Sequence, residues 1–171
     1  MSTTRPLRRA PVASDPAPGG ARLPLWSRPG YLVRRLHQIH YALFMEECQP
    51  FSITPVQYGL LTALAERGSL DQVSLAEELG IDRSNVAEVL SRLEARGLVS
   101  RASNPNDRRA KLASLTDGGR ELVQRMFTAM QHAQERLLAP LPEAERKAFM
   151  ASLVKLVDAN NQYGRASLRA D

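Results

Sequence analysis

Residues 74–116 constrain the fold more strongly than any other stretch of the chain. Ser74-Leu75-Ala76-Glu77 has the form of a capping box, in which the hydroxyl accepts from the third amide and the Glu reaches back. The predicted helix ends at Leu79, where Gly80 lets the chain turn without a Cβ penalty. Asp82 then caps a second short helix, called the reading helix below, whose apolar residues recur about every 3.6 positions. Two short helices joined by a Gly-containing turn form a helix-turn-helix.

A β-hairpin is predicted directly after the reading helix. Gly97 closes that helix, and residues 98–101 have the composition of a strand. Asn104-Pro105-Asn106-Asp107 is a turn-forming cluster, and residues 111–115 return as a second strand, while residues 71–73 are predicted to add a third. The result is a winged helix, in which the hairpin, or wing, lies beside the reading helix. Two arginines at its tip can reach a phosphate or a narrow minor groove.

The wing resembles that of the MarR family of bacterial regulators. The family signature there is Asp, any residue, Arg, three residues of any type, Leu or Val, any residue, Leu and Thr. Asp107, Arg109, Leu115 and Thr116 match it. The resemblance extends over the order of helices from about residue 29 to residue 161. It implies a DNA-binding regulator that forms a homodimer.

The fold class predicted from these elements is mainly α with a small β-wing. A winged helix-turn-helix covers about residues 54–116, and long helices are predicted at 29–47, 117–139 and 142–161. The apolar stripes of the long helices exceed what one winged domain would cover. We therefore expect residues 29–171 to form one domain, with the long helices as a dimerisation module.

The first 28 residues differ in composition from the rest. They hold five Arg against one Asp, together with five Pro and little apolar periodicity. A segment of this kind buries too little surface to offset its ordering entropy, so residues 1–28 are predicted to be a disordered basic arm. Two interpretations stay open for it: a solvated tail, or an arm that helps to hold DNA.

Charge and cysteine content limit the partners and the compartment. The chain carries +5 over 171 residues, and residues 81–111 hold seven cations against four acids. An excess of cations on the winged helix suits an anionic partner such as double-stranded DNA. The single cysteine excludes an internal disulfide, and no apolar run approaches the roughly 20 residues that span a bilayer. We expect a cytoplasmic protein with no membrane partner.

The solvent side of the reading helix carries the side chains expected to contact DNA. Arg and Asn suit bidentate contacts with guanine and adenine edges, and Ser at a helix N-terminus suits a phosphate. With the wing cations, the predicted DNA-binding residues are Ser74, Arg83, Ser84, Asn85, Glu88, Arg92, Arg108, Arg109 and Lys111. A merely solvated helix face is the alternative, and the neighbouring basic wing argues against it. A dimer would place two reading helices on a palindromic operator, one turn of DNA or a multiple apart.

The first long helix is expected to bury one stripe with unusual polar members. The stripe consists of Val33, Leu36, His37, His40, Tyr41 and Phe44. An apolar wall with a few donors suits a small aromatic acid, with His37, His40 and Tyr41 as polar contacts and Tyr58 facing them. For any one of these residues, a core position with one satisfied hydrogen bond is the alternative.

Two kinds of signal are known in the resembled family: small phenolic or aromatic carboxylic compounds, and oxidants that act through cysteine. Cys48 follows Glu46 and Glu47 near a helix C-terminus, where the dipole and both carboxylates disfavour a thiolate. The sequence therefore favours an aromatic acid as the effector over an oxidant.

Catalytic motifs are absent from the sequence, which has no nucleophile motif, phosphate loop or metal-spaced Cys/His cluster. We predict a sequence-specific transcriptional regulator, a repressor released by its effector, with no cofactor or metal and no enzymatic activity. The alternative from another class is an architectural module that binds DNA without sequence preference through phosphate neutralisation. A sharp operator footprint separates the two.

Overall fold

Helices dominate the architecture, and the computed structural model describes residues 24–105 and 110–164. Within those residues the elements are α1 (Pro29–Cys48), α2 (Pro55–Arg67), β1 (Ser69–Asp71), α3 (Gln72–Leu79), α4 (Arg83–Ala95), β2 (Val99–Ser103), β3 (Lys111–Leu115), α5 (Asp117–Leu138) and α6 (Glu143–Ala159). Short 3-10 turns lie at Leu25–Ser27, Gln49–Phe51 and Asn161–Tyr163. The prediction of a mainly α fold with a small β-wing is confirmed. The predicted disordered basic arm lies outside the described residues up to residue 23. The prediction is wrong for residues 24–28, where Leu25–Ser27 form a 3-10 turn and the Trp26 ring packs edge to face on Tyr31, with centroids 5.3 Å apart.

The start of α2 shows how closely the local signals are followed. Thr54 Oγ1 accepts from the amide of Gln57 at 3.3 Å, and Gln57 Oε1 accepts from the amide of Thr54 at 3.0 Å. This reciprocal pair satisfies two amides that a helix start would otherwise leave unpaired. Pro55 occupies the first helical position, where its missing N–H costs nothing. The helix ends at Gly68, whose φ of 82° favours glycine.

The capping box predicted at Ser74 is wrong. Helix α3 begins two residues earlier, at Gln72, and Asp71 is its N-cap. Asp71 Oδ1 accepts from the amides of Val73 and Ser74, both at 2.8 Å. A carboxylate at this position satisfies two amides and also interacts favourably with the helix dipole. Asp71 is therefore the N-cap in place of the Ser74 hydroxyl. The predicted third strand is shifted for the same reason, because Gln72 and Val73 are helical.

Helix α4, the predicted reading helix, has Asp82 at its N-cap position, although the Asp82 side chain makes no cap hydrogen bond there. Its inward face consists of residues that are between 0% and 3% exposed: Val86, Leu90 and Leu93. The spacing of these residues brings them onto one face of a helix. Burial of this stripe in the core holds α4 with its opposite face outward.

The end of α4 decides where the wing begins. Gly97 has a φ of 68°, and the amide of Leu98 donates to the carbonyl of Leu93 at 3.0 Å. This is the geometry of a glycine C-cap, which uses orphan carbonyls at the helix end. Because the Leu98 amide is taken up in this way, β2 starts at Val99 and not at the start of the predicted range 98–101.

The sheet has the strand order β1–β3–β2, with both pairings antiparallel. In the wing, Val99 pairs with Leu115 and Ser103 pairs with Lys111. The predicted strand 111–115 agrees with β3. The side chains of Val99 and Leu115 are buried, so the base of the wing is anchored in the core. The wing tip, with Arg108 and Arg109 at residues 106–109, lies outside the described residues.

The prediction of one continuous buried stripe along α1 is wrong for the single chain. Phe44 is 1% exposed, but Val33 is 60% and Tyr41 46% exposed, and His37 is also exposed. The last turn of α1 contacts α5, where Glu47 meets His132. Earlier in α1, Leu32 and Ile39 are also exposed, whereas Leu36 is half-buried.

Helix α6 has no buried residue within the described chain. Its apolar side chains that are most open to solvent, between 47% and 59% exposed, are Met150, Val154, Leu156 and Val157. On α1, the corresponding exposed side chains are Leu32, Val33 and Ile39. Met150, Val154 and Val157 share one side of α6, which we call the apolar face of α6, whereas Leu156 lies on the other side of that helix. The three exposed residues of α1 form the apolar face of α1. None of the helices in the described ranges is both long and apolar enough to cross a membrane.

Candidate functional site

One face of α4 is open to solvent, as predicted. The predicted DNA-binding residues on it are all exposed: Arg83, Ser84, Asn85, Glu88 and Arg92. Ser74 does not share this face, because it lies half-buried in the first turn of α3. The open face combines bidentate donors with a helix N-terminus whose amides suit an anion.

The ion pair on this face does not hold its members firmly. Glu88 and Arg92 pair one turn apart, and their side chains are 61% and 65% exposed. Exposed pairs at this spacing contribute about 0.3–0.5 kcal/mol, so a phosphate or a guanine edge can easily take the place of Glu88 as the partner of Arg92. Arg92 then becomes available to guanine or phosphate, and Glu88 to the amino group of cytosine.

The orientation of α4 is set at its first residue by α3. Gln72 Nε2 donates to the carbonyl oxygen of Arg83 at 2.7 Å. Gly80, with a φ of 62°, forms the turn between the helices, and the amide of Ile81 donates back to Ala76 at 3.1 Å. These bonds fix the angle between α3 and α4 within the helix-turn-helix.

An open groove of about 560 Å³ lies between the first turn of α3, α4 and the wing strands, and Asp71 and three cations line it. The cations are Arg83, Arg101 and Lys111, of which Lys111 is exposed at the start of β3. Arg101 forms a hydrogen-bonded ion pair with Glu94. The hydrogen bond from Arg101, together with the charges of Arg101 and Lys111, lowers the pKa of the Glu94 carboxyl. Arg101 was counted among the cations of residues 81–111 but was not included in the predicted DNA-binding residues, although its place on a wing strand indicated such a role.

The candidate effector wall is centred on Phe44. The ring of Tyr58, on α2, meets the Phe44 ring edge to face, with centroids 6.1 Å apart. His40 lies four residues before Phe44 and therefore on the same side of α1. Burial, and secondarily the charge of His37, lowers the pKa of His40. His40 and Tyr58 are both half-buried, whereas His37 and Tyr41 are exposed.

An unpaired hydroxyl lies one turn beyond Tyr58. Thr62 Oγ1 is buried and has no hydrogen-bond partner among the residues that the structure describes. A buried hydroxyl left without a partner costs free energy, and such an atom often marks a place for a ligand or water. Sequence reasoning missed Thr62, because one Thr in a helix belongs to no motif.

Cys48 lacks the environment of a reactive thiol. It is 1% exposed, and its Sγ lies 3.7 Å from the Sδ of Met130. Burial raises the pKa of the Cys48 thiol, and the charge of Glu47 raises it further. Since the thiolate is the reactive species, both effects oppose oxidation at this position.

Comparison with known proteins identifies sequence relatives of this chain. A family model described as MarR family matches residues 53–111. The HTH-type transcriptional repressor NicR of Pseudomonas putida is 31% identical over 136 residues, which are 79% of this chain and 85% of NicR. The family model therefore covers the whole helix-turn-helix, β2 and the first residue of β3.

Two solved structures share the fold. Bordetella bronchiseptica BpsR, whose DNA binding is regulated by 6-hydroxynicotinic acid, superimposes with a TM-score of 0.71 at 34% identity, covering 74% of this chain and 96% of BpsR. The regulator PcaV of Streptomyces coelicolor, in complex with its natural ligand, superimposes with a TM-score of 0.73 at 37% identity, covering 81% of this chain and 98% of PcaV.

Proposed function

The chain belongs to the MarR family of transcriptional regulators, and on that premise we propose that it is a dimeric repressor released from its operator by a small aromatic carboxylic acid. It regulates transcription and is not an enzyme. The observation that carries the proposal is the division of α4 into a buried apolar face and an open polar face. NicR is a repressor, and the DNA binding of BpsR responds to an aromatic acid.

On DNA, the open face of α4 enters the major groove. Arg83 and Asn85 read base edges, while Ser84 and the helix N-terminus hold a phosphate. Lys111 and the wing arginines contact the flanking backbone or minor groove. Direct readout of bases distinguishes this proposal from an architectural protein, whose affinity would come from phosphates alone.

Replacing Asn85 with Ala is expected to weaken binding to the operator by about 1–3 kcal/mol while leaving binding to scrambled DNA almost unchanged, because a bidentate base contact is lost. The measurement is fluorescence anisotropy with a duplex selected from random DNA and its scrambled version. Gln131→Ala removes an exposed side-chain amide on α5, away from α4, so it is the matched control and should affect neither duplex. Equal weakening on both duplexes would assign Asn85 to backbone positioning, and equal wild-type affinity for both would favour the architectural function.

The effector wall supports an aromatic acid on chemical grounds. Tyr58 offers half-buried aromatic surface that packs on the buried Phe44 ring, and Thr62 offers an unpaired hydroxyl. The lowered pKa of His40, caused by burial and by His37, favours the neutral imidazole, which can donate one hydrogen bond or take up a proton when a carboxylate arrives. We propose that 6-hydroxynicotinate or a related compound binds here and favours a spacing of the reading helices that misfits the operator.

Binding of 6-hydroxynicotinate is expected to strengthen as the pH falls from 8 toward 6. Burial and His37 lower the pKa of His40 in the free protein, and a bound carboxylate raises it again. The complex then holds more protons than the free protein, so affinity rises with acidity, by at most about tenfold per pH unit, until the pH passes below the free-protein pKa of His40. Calorimetry across this range measures the slope.

His132→Gln serves as the control for this pH dependence, since His132 lies on α5 against Glu47 and not at the effector wall. It should keep the wild-type slope, and His40→Gln should remove it. A His40→Gln protein with an unchanged slope would show that another group takes up the proton.

An oxidant-sensing repressor is the second candidate function. The burial of Cys48 and its raised pKa argue against it. Release of DNA by peroxide from wild type, but not from Cys48→Ser, would favour it over the aromatic acid.

A further inference from the structure

The C-terminal end of α4 is tied to a segment far away in the sequence. Arg96, the C-cap residue of α4, donates from Nη1 to the carbonyl oxygen of Ser52 at 2.7 Å and from Nη2 to that of Phe51 at 3.1 Å. The two donors of a guanidinium are held in one plane, so this fork fixes orientation as well as distance. Both acceptors belong to residues 49–52, called the α1–α2 linker below.

The α1–α2 linker is also held from the side of α5. The guanidinium of Arg125 lies over the Phe51 ring, 5.8 Å from its centroid, and Phe51 packs against the core. Ser52 adopts φ 51° and ψ 43°, and it is the non-glycine residue with positive φ among those described. A non-glycine residue keeps this conformation where surrounding contacts determine it. One short segment therefore connects α1, α4 and α5.

The last turn of α1, which leads directly into the α1–α2 linker, is bonded to α5. Glu47 hydrogen-bonds with His132 at 2.9 Å and forms an ion pair with Arg136, both on α5. Phe44, one turn earlier, contacts Tyr58 at the effector wall. A shift of α1 relative to α5 must therefore be absorbed in the linker, whose carbonyls are bonded to the end of α4.

We propose that Arg96 is a positioning residue that couples the α1–α5 contact and its effector wall to the orientation of α4. The link to an effector rests on the proposed function, whereas the link between the linker and α4 does not. Arg96 and Ser52 are exposed, so these bonds contribute little to stability. Removing them releases the end of α4 from the linker without unfolding the domain.

The link from α4 to the linker is tested without any effector, by hydrogen–deuterium exchange in the presence of a selected operator duplex. Coupling is reciprocal, so DNA bound at α4 should slow amide exchange in residues 49–53 of wild type by about fivefold or more. Arg96→Ala should abolish this remote protection, and Arg96→Lys, which keeps the charge but loses the fork, should restore part of it. Arg120→Ala is the control, because Arg120 donates to the carbonyl of Leu115 at 2.9 Å, away from the linker.

The link to the effector is tested with 6-hydroxynicotinate. In calorimetry, Arg96→Ala should bind the compound with wild-type affinity. In wild type and in Arg120→Ala the compound should weaken DNA binding, and Arg96→Ala should lose most of this effect. If the compound does not release wild-type protein, the proposed effector is wrong, and the exchange experiment still decides the coupling. Remote protection that persists in Arg96→Ala, or is lost equally in Arg120→Ala, overturns the role of Arg96.

Discussion

Gly119→Ala is expected to destabilise the protein by about 3 kcal/mol or more, because the added methyl group meets backbone that has no room to move. Gly119 is buried in the first turn of α5. A Cβ there would lie 3.1 Å from the carbonyl carbon of Leu98, closer still to its oxygen, and 3.3 Å from Leu115 Cδ2. The Leu98 carbonyl is itself fixed, since it accepts from the amide of Thr116 at 3.1 Å.

The neighbouring glycine supplies the control. A Cβ at Gly118 would come no closer than 3.8 Å to Gly97 O and Thr116 Oγ1, which is ordinary contact. Gly118→Ala should leave stability unchanged or raise it by up to about 1 kcal/mol, because Ala is the better helix former. Urea denaturation followed by circular dichroism measures both variants. Equal stability of the two variants would show that the junction of α5 with the wing is more adaptable than its geometry indicates.

This junction explains why α5 follows the wing so closely. Thr116 Oγ1 accepts from the amide of Gly119 at 3.1 Å and donates to the carbonyl of Gly97 at 2.6 Å. One side chain thus caps α5 and joins it to the end of α4. The family wing signature includes Thr116, so the sequence pointed to the residue, but the contact that makes Gly119 necessary is visible only in three dimensions.

Signals within a few residues of the chain predicted much of the fold. The turn at Gly80, the helix end at Gly97 and the strand at 111–115 all depend on local backbone preferences, and all were predicted. The cap at Ser74 failed because two local signals competed. Asp71 also ends a strand that pairs with β3, and no local pattern reports that long-range pairing.

Contacts between distant segments were not predictable in the same way. Helical periodicity identified the apolar side of α1, but it does not state what covers that side. Arg96 was counted only as a cation of the winged helix, yet it bonds to carbonyls 44 and 45 residues earlier. Thr62 likewise gained meaning only when its hydroxyl was found buried and unpaired in the described part of the chain.

The uncovered apolar faces of α1 and α6 support the proposed homodimer. Large exposed apolar patches mark interaction sites, and the exposed positions Met150, Val154 and Val157 recur at helical spacing along α6. A second copy of the chain offers an equally apolar face by symmetry. Dimerisation through these helices would also set the distance between the two α4 helices, and with it the spacing of the operator half-sites.

Val154→Glu is expected to convert the dimer to a monomer at micromolar concentration, because each interface would then bury unpaired carboxylates. Operator affinity should fall by about 10²–10⁴-fold, since two linked reading helices bind with an avidity that one lacks. Ser152→Glu introduces the same charge two residues away, on the opposite side of α6, and should remain dimeric with wild-type affinity. Sedimentation velocity and anisotropy with the selected duplex measure the two effects. If Val154→Glu sediments as a dimer with unchanged DNA affinity, the apolar face of α6 is not the interface, and the spacing of the reading helices must be set by other surfaces.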